Sequence, residues 1–169
     1  MNSVTIIGGG VIGMLSAYQL HQAGLEVCVI DRQTCGRESS WAGGGIISPL
    51  FPWRYPAAVT RLALLSQQLY PPLMDKMQQA TGIDPEFLPS GMLVLGDYAA
   101  EQPDQWARRY QVDMQAIDAD QIKALAPEVS ERFQTGLWLP QIHQVRNPRL
   151  VRMLKAYLQN NGISLIKKA

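Results

Sequence analysis

Three glycines, Gly8, Gly10 and Gly13, stand where a short apolar run, Val4 to Ile7, gives way to residues at helical spacing: Val11, Ile12, Leu15, Ala17 and Leu20. No strand interior favours such a cluster, so the run reads as a buried strand that stops at Gly8. The helix runs from Val11 to Gln22, with Gly24 where a helix C-terminus wants it. Glu26 to Asp31 then reads as a second strand, apolar enough to be buried on both faces as in a parallel sheet. The result is a β-α-β unit with G-x-G-x-x-G at its first turn and an acidic residue closing its second strand.

That spacing has a physical logic. Gly8 permits the tight turn, Gly10 lets backbone N–H groups approach a pyrophosphate, and Gly13 lets helix and strand pack closely. The helix N-terminus offers unsatisfied donors and the positive end of its dipole. Asp31 can accept from both hydroxyls of an adenosine ribose, and its charge opposes a 2′-phosphate, which disfavours NADP. FAD and NAD share the ADP half, so the fingerprint alone leaves both open.

The stretch Ser39 to Pro49, SSWAGGGIISP, favours a flavin. Two hydroxyls suit phosphate or ribitol oxygens, and three consecutive glycines expose a backbone edge able to serve a flavin ring. Trp41, Ile46 and Ile47 argue for an ordered loop rather than a flexible linker.

The composition excludes several other classes. A chain of 169 residues that is 47% hydrophobic and 17% charged can build a core. Fifteen Lys+Arg against fourteen Asp+Glu, with no basic block along the chain, give no support to nucleic-acid binding. Two cysteines, Cys28 and Cys35, form neither a disulfide framework nor a zinc site, so no metal is expected and a reducing, cytoplasmic setting is the default. No apolar run approaches the ~20 residues of a membrane span.

Downstream, Ala57 to Ala80 reads as helix interrupted at Pro71-Pro72, giving two helices or one with a sharp kink. Phe87 to Gly96 reads as a strand pair around Ser90-Gly91, Gln105 to Tyr110 as helix, and Asp113 to Ile117 as a strand. Asp118 and Gln121 have capping-box spacing ahead of a helix to Leu125. Gly136 to Pro140 and Gln144 to Arg146 have strand character. Asn147-Pro148 suits an N-cap and first turn of a helix ending near Asn161 and Gly162, and Ile163 to Ile166 is a further buried strand. His143 reads as surface or packing, Arg54 and Tyr55 as packing or loop anchors with a substrate-facing role as the alternative, the Trp106 to Tyr110 stretch as a helical turn with a mixed face, and Lys167-Lys168 as a solvated end.

With these segments in view, the sequence resembles the FAD-dependent D-amino-acid oxidase family, and within it the branch that oxidises glycine in bacterial thiamine biosynthesis. The resemblance is carried by Val4 to Arg32, Gly36 to Pro49, Pro52 to Pro56, Thr81 to Pro85 and the run Val145-Arg146-Asn147-Pro148-Arg149-Leu150-Val151. It implies an α/β fold: a Rossmann-like FAD-binding domain with a parallel sheet, plus part of an α+β substrate domain with antiparallel strands. The FAD-binding domain would be discontinuous, 1–82 and 147–169, with 83–146 in the substrate domain.

For the site, the resemblance implies that Gly8, Gly10, Val11, Ile12 and Gly13 hold the pyrophosphate, Asp31 the ribose, and that Arg32 flanks the adenosine. Ser39 and Ser40 would bind along phosphate and ribitol, with Ala42, Gly44, Gly45 and Ile46 lining the isoalloxazine. Members often carry Glu at the Asp31 position, and Asp31, though shorter, can do the same work. The implied reaction is hydride transfer from the Cα of glycine or a small D-amino acid to the flavin, giving an imino acid, with O2 reoxidation producing hydrogen peroxide. Orientation matters more than a strong base in such chemistry, so no acid/base residue is named.

Family members continue past this length with an arginine for the substrate carboxylate and an aromatic lid, so the chain reads as truncated. An open sheet edge is expected, with homo-oligomerisation or association with a C-terminal half to cover it. The alternatives from the fingerprint are an NAD-linked dehydrogenase domain and a non-catalytic nucleotide-binding half of a split oxidase. Expected partners are therefore a small amino-acid substrate, with neither nucleic acid nor a membrane span.

Overall fold

A computed structural model describes residues 2–96 and 101–167 of the chain. The chain divides into two compact units: 1–45, 70–87 and 145–169 form the first, and 46–69 and 88–144 the second.

The first unit is built on a three-stranded parallel sheet. Strand β1 (Ser3–Ile7) leads through helix α1 (Val11–Gln22) to β2 (Glu26–Asp31), and β6 (Ser164–Lys167) completes the order β1-β2-β6. Val4 lies opposite Val27 and Val29 opposite Leu165 in the two parallel ladders. Helix α6 (Asn147–Asn160) packs against α1 and buries Leu150, Val151, Met153, Leu154, Tyr157 and Leu158. The Tyr18 and Tyr157 rings meet edge to face at 5.6 Å between centroids. Past the helix C-caps, Gly24 and Gly162 take positive φ of 81° and 78°, as the stop signals require.

Strand β1 is not the buried strand that its composition suggests. It is an edge strand with a second neighbour on one side only, none of its residues is buried, and Ile7 is 89% exposed. The open edge anticipated from the strand count is therefore present among the described residues. Asn147 does not cap α6 either. It is the helix's first residue, Arg146 stands at the N-cap without a side-chain cap bond, and the Asn147 amide instead faces Gly43.

The second unit holds the antiparallel sheet of β3 (Met92–Leu95), β4 (Gln115–Asp118) and β5 (Thr135–Leu139), in the order β3-β5-β4. Its core gathers Met92, Val94, Leu137, Leu139 and Ile142 with Trp106 and Ala107 of α4 (Glu101–Tyr110). Helix α5 (Ala119–Leu125) starts with the full capping box: Gln121 N–H donates to Asp118 Oδ1 at 2.9 Å, and Asp118 N–H donates to Gln121 Oε1 at 3.1 Å. The expected pairing around Ser90-Gly91 does not form. Leu88 bridges Gln144 and Met92–Leu95 pairs with β5, because the Gly91 N–H is taken by the Ile142 carbonyl at 2.8 Å.

Two connections differ from the sequence reading. The stretch Ser39 to Pro49, expected as an ordered loop, opens with helix α2 (Ser39–Ala42), and a 3-10 turn follows it at Pro52–Arg54. The segment 57–81 forms one helix, α3 (Ala57–Thr81), through Pro71 and Pro72 rather than two helices. Two prolines remove only two donors from a helix of 25 residues. The boundary between the compact units falls at Leu69 and Tyr70, immediately before them.

Candidate functional site

At the C-terminal end of β1 the chain turns through Gly8, whose φ of 104° is open to glycine and strained for any L side chain. A Cβ added there would meet nothing within 4 Å, so the backbone presents itself bare. Gly13 answers the opposite need. A Cβ at this position would overlap the Gly8 carbonyl oxygen, so only glycine lets the first turn of α1 lie against the strand end. Helix α1 begins after Gly10 with no side-chain cap from that residue and no acidic residue in its first turn. Its N-terminus therefore keeps the positive end of the dipole without a neutralising carboxylate in the first turn.

Ser40, the second residue of α2, reaches this N-terminus. Its Oγ accepts the Val11 N–H at 2.9 Å and lies 3.0 Å from where a Gly10 Cβ would stand. A hydroxyl that accepts from the backbone keeps its own O–H to donate elsewhere. Ser39, its neighbour, is exposed, as is Ile12 at 76%.

Asp31 closes β2 with both carboxylate oxygens engaged. Oδ2 accepts the Gly9 N–H at 2.7 Å and Oδ1 the Gln33 N–H at 2.8 Å. These two bonds, the one from Gln33 foremost, hold the carboxyl below its usual range, with partial burial opposing and the Arg32 charge assisting. Each oxygen retains a second lone pair, so ribose hydroxyls can still donate to it. Asp31 is thus hydrogen-bonded onto the glycine turn. Arg32 is committed to Glu38, its Nη2 2.6 Å from Oε1, at an exposed site.

The glycine-rich loop is ordered by contacts within the first unit. The Val145 N–H donates to the Gly45 carbonyl at 2.8 Å, and Gly45 has a φ of 78°. A Cβ on Gly45 would overlap the Val145 carbonyl oxygen, and one on Gly43 the Asn147 amide nitrogen, whereas Gly44 has nothing within 4 Å. Ala42 ends α2 and is exposed. Ile46 opens the second unit, where it bridges Gln144.

Three contributors escaped the sequence reading. Gly9 is pressed against Cys35, a Cβ there overlapping the thiol, and burial raises the Cys35 thiol's pKa with the Asp31 charge adding to it. Asn147 shapes the loop from α6. For Cys35 and Asn147 the sequence carried no signal, since both contacts span distant segments; Gly9 sat inside the fingerprint at a position that its spacing leaves free. His143, read as packing, has its Nδ1 2.8 Å from the Gln141 carbonyl. Among the described residues no group of three His, Cys, Asp or Glu could hold a metal, and no helix is long and apolar enough to cross a membrane.

A bare glycine turn, a helix start that meets a serine hydroxyl and a carboxylate at the next strand end are the parts of a dinucleotide site, and these residues fit the ADP half of FAD. Comparison with known proteins agrees. Residues 3–169 match the family described as DAO, FAD dependent oxidoreductase, and the chain belongs to that family. FAD is the cofactor of the family, which leaves the NAD-linked reading without support. Glycine oxidase of Pseudomonas aeruginosa is 43% identical over 156 residues, 92% of this chain and 43% of that protein. The bifunctional ThiO/ThiG protein of Synechocystis sp. is 29% identical over 166 residues, 97% of this chain and 24% of its own length. Glycine oxidase from Geobacillus kaustophilus shares the fold, with a TM-score of 0.86 at 24% identity over 99% of this chain and 47% of that one. The chain spans less than half the length of these relatives.

Proposed function

We propose that this chain carries the FAD-binding part of an amino-acid oxidase acting on glycine or a small D-amino acid, with residues 1–82 and 147–169 serving the cofactor and 83–146 contributing to substrate binding. The observation that carries the reading is the α1 N-terminus, where Val11 N–H and Ser40 Oγ lie 2.9 Å apart beside the bare turn at Gly8. Gly8, Gly10, Val11, Ile12 and Gly13 would surround the pyrophosphate, Ser39 and Ser40 would donate along phosphate and ribitol, and Asp31 would accept from the ribose with Arg32 at its flank. Ala42, Gly44, Gly45 and Ile46 would supply the backbone edge beside the flavin ring.

Bound FAD would supply a two-electron acceptor for the Cα–H of the amine, with O2 as terminal oxidant and hydrogen peroxide as its product. The chain's own part is to hold the cofactor rigidly and present one ring face to the substrate. The imino acid product suits a role in assembling the thiazole of thiamine, as the resemblance to the glycine-oxidising branch implies.

The test is the visible flavin spectrum of the purified chain loaded with FAD, before and after anaerobic glycine. Retained bands that bleach support the whole reading. Bands that persist without bleaching restrict the chain to cofactor binding, as in one half of a split oxidase. Failure to retain any FAD overturns the site.

A further inference from the structure

On the first unit, between the α2 segment and the outer face of α6, lies a cavity of about 570 Å³ that none of the residues assigned above to FAD lines. Ser40 faces α1, while Trp41, about 100° further around the helix, faces this cavity. Five cations line it: Arg37 from the segment before α2, Arg146 at the N-cap of α6, and Arg149, Arg152 and Lys155 within α6, with no carboxylate among the lining residues. The chain has a net formal charge of only +1, and five of its fifteen Lys+Arg meet here.

The arrangement is built rather than scattered. Arg146, Arg149, Arg152 and Lys155 recur every third residue, each about 60° around the helix from the last, and all four reach the same cavity. Glu86 holds Arg149 at 2.8 Å and Arg146 at 3.3 Å, one carboxylate against two guanidiniums. Arg149 is further anchored by donation to the Asp84 carbonyl at 3.2 Å. Arg37 is steadied over the Trp41 ring, 4.4 Å from its centroid. Arg37, Arg152 and Lys155 have no carboxylate partner among the described residues.

The same end of α6 lacks any acidic residue in its first turn and any side-chain cap, and carries Arg149 where the helix dipole favours a negative charge. Glu86 offsets the charge of Arg146 and Arg149 only, so Arg37, Arg152 and Lys155 remain for a further anion to join. The cavity's volume is in the range of small-molecule sites.

We infer that this cavity binds the phosphate or pyrophosphate group of a small molecule, at a site separate from that of FAD. Guanidiniums suit bidentate contact to phosphate oxygens, and the ammonium of Lys155 adds a point charge.

Titration calorimetry on the full chain in saturating FAD tests this with inorganic pyrophosphate, and with AMP to distinguish an organic phosphate from the inorganic ion. One equivalent of either probe should bind, and Arg152→Gln and Lys155→Gln should each weaken it about tenfold. FAD affinity, followed by flavin fluorescence, should be the same in Arg152→Gln and Lys155→Gln as in the parent. The inference is overturned if the parent binds neither probe, or if the two variants bind as well as the parent. It is equally overturned if the variants lose FAD affinity, which would merge the cavity with the cofactor site, or if an oligonucleotide binds there more tightly than either probe.

Discussion

The Ser40 hydroxyl accepts the Val11 backbone N–H at 2.9 Å across 29 residues of sequence, so a helix of four residues supplies the acceptor that Gly10 cannot. The bond ties α2 to the start of α1 before any ligand binds. Ser40→Ala should therefore cost about 1 kcal/mol in stability without FAD, the ordinary worth of such a bond. FAD retention should fall further, since the donating O–H is lost as well. Chemical denaturation of the apo chain and flavin fluorescence of the loaded chain measure the two effects separately. Equal FAD affinity in parent and variant would show that the hydroxyl only braces the helix.

Gly13 and Gly10 differ in what surrounds them, and their alanine variants should differ accordingly. A Cβ at Gly13 overlaps the Gly8 carbonyl, a rigid backbone atom, so Gly13→Ala must push α1 away from β1. Overpacking of this kind costs roughly 1–3 kcal/mol and should lower the midpoint of thermal unfolding. At Gly10 the nearest atom is Ser40 Oγ at 3.0 Å, the end of a side chain that can rotate. Gly10→Ala should cost no more than the roughly 1 kcal/mol of the Ser40–Val11 bond that the rotation disturbs, while weakening FAD binding.

Asp31 makes acid sensitivity a property of the cofactor turn. Its carboxyl is held below the usual range mainly by the backbone N–H groups of Gln33 and Gly9. A depressed folded pKa means that its contribution is fully present above the unfolded value of about 3.9 and is lost as pH falls through the folded value. Stability measured from neutral pH downward should decline in that acid window. Asp31→Asn should be less stable near neutrality and show a shallower decline below about pH 4. An identical acid limb in parent and variant would remove Asp31 from the account.

How far the sequence foretold this site depends on the reach of each contact. The β-α-β unit, the capping box at Asp118 and Gln121 and the glycine stops at Gly24 and Gly162 were legible because each is decided within a few residues. The Gly8–Gly13 packing was legible because its spacing encodes it. Asn147 was misread as a cap, since its local pattern is that of an N-cap and only the tertiary fold turns its amide toward Gly43. The exposure of β1 was hidden for a similar reason: apolar composition reports what a strand can bury, not how many neighbours it has. The basic cavity was invisible because Arg37 and the α6 cations lie over a hundred residues apart, and no linear block of charge marks them.

The adjacent glycines of the loop offer the sharpest test of flavin contact. Gly45 is required by the fold itself: φ is 78°, and a Cβ would overlap the Val145 carbonyl oxygen. Gly45→Ala should therefore lower stability and FAD retention together, and by itself says nothing of the flavin. Gly44 has no atom within 4 Å of an added Cβ and no positive φ, so Gly44→Ala should unfold at the parent's temperature. If the loop backbone lies against the flavin ring, the new methyl group meets the ring instead of protein. The expected outcome is an unchanged melt of the apo chain with weakened FAD binding and a shifted flavin spectrum, read by denaturation and by absorbance on adding FAD. A Gly44→Ala chain that binds FAD with the parent's affinity and spectrum would move the ring contact away from this loop and leave only the ADP half of the site standing.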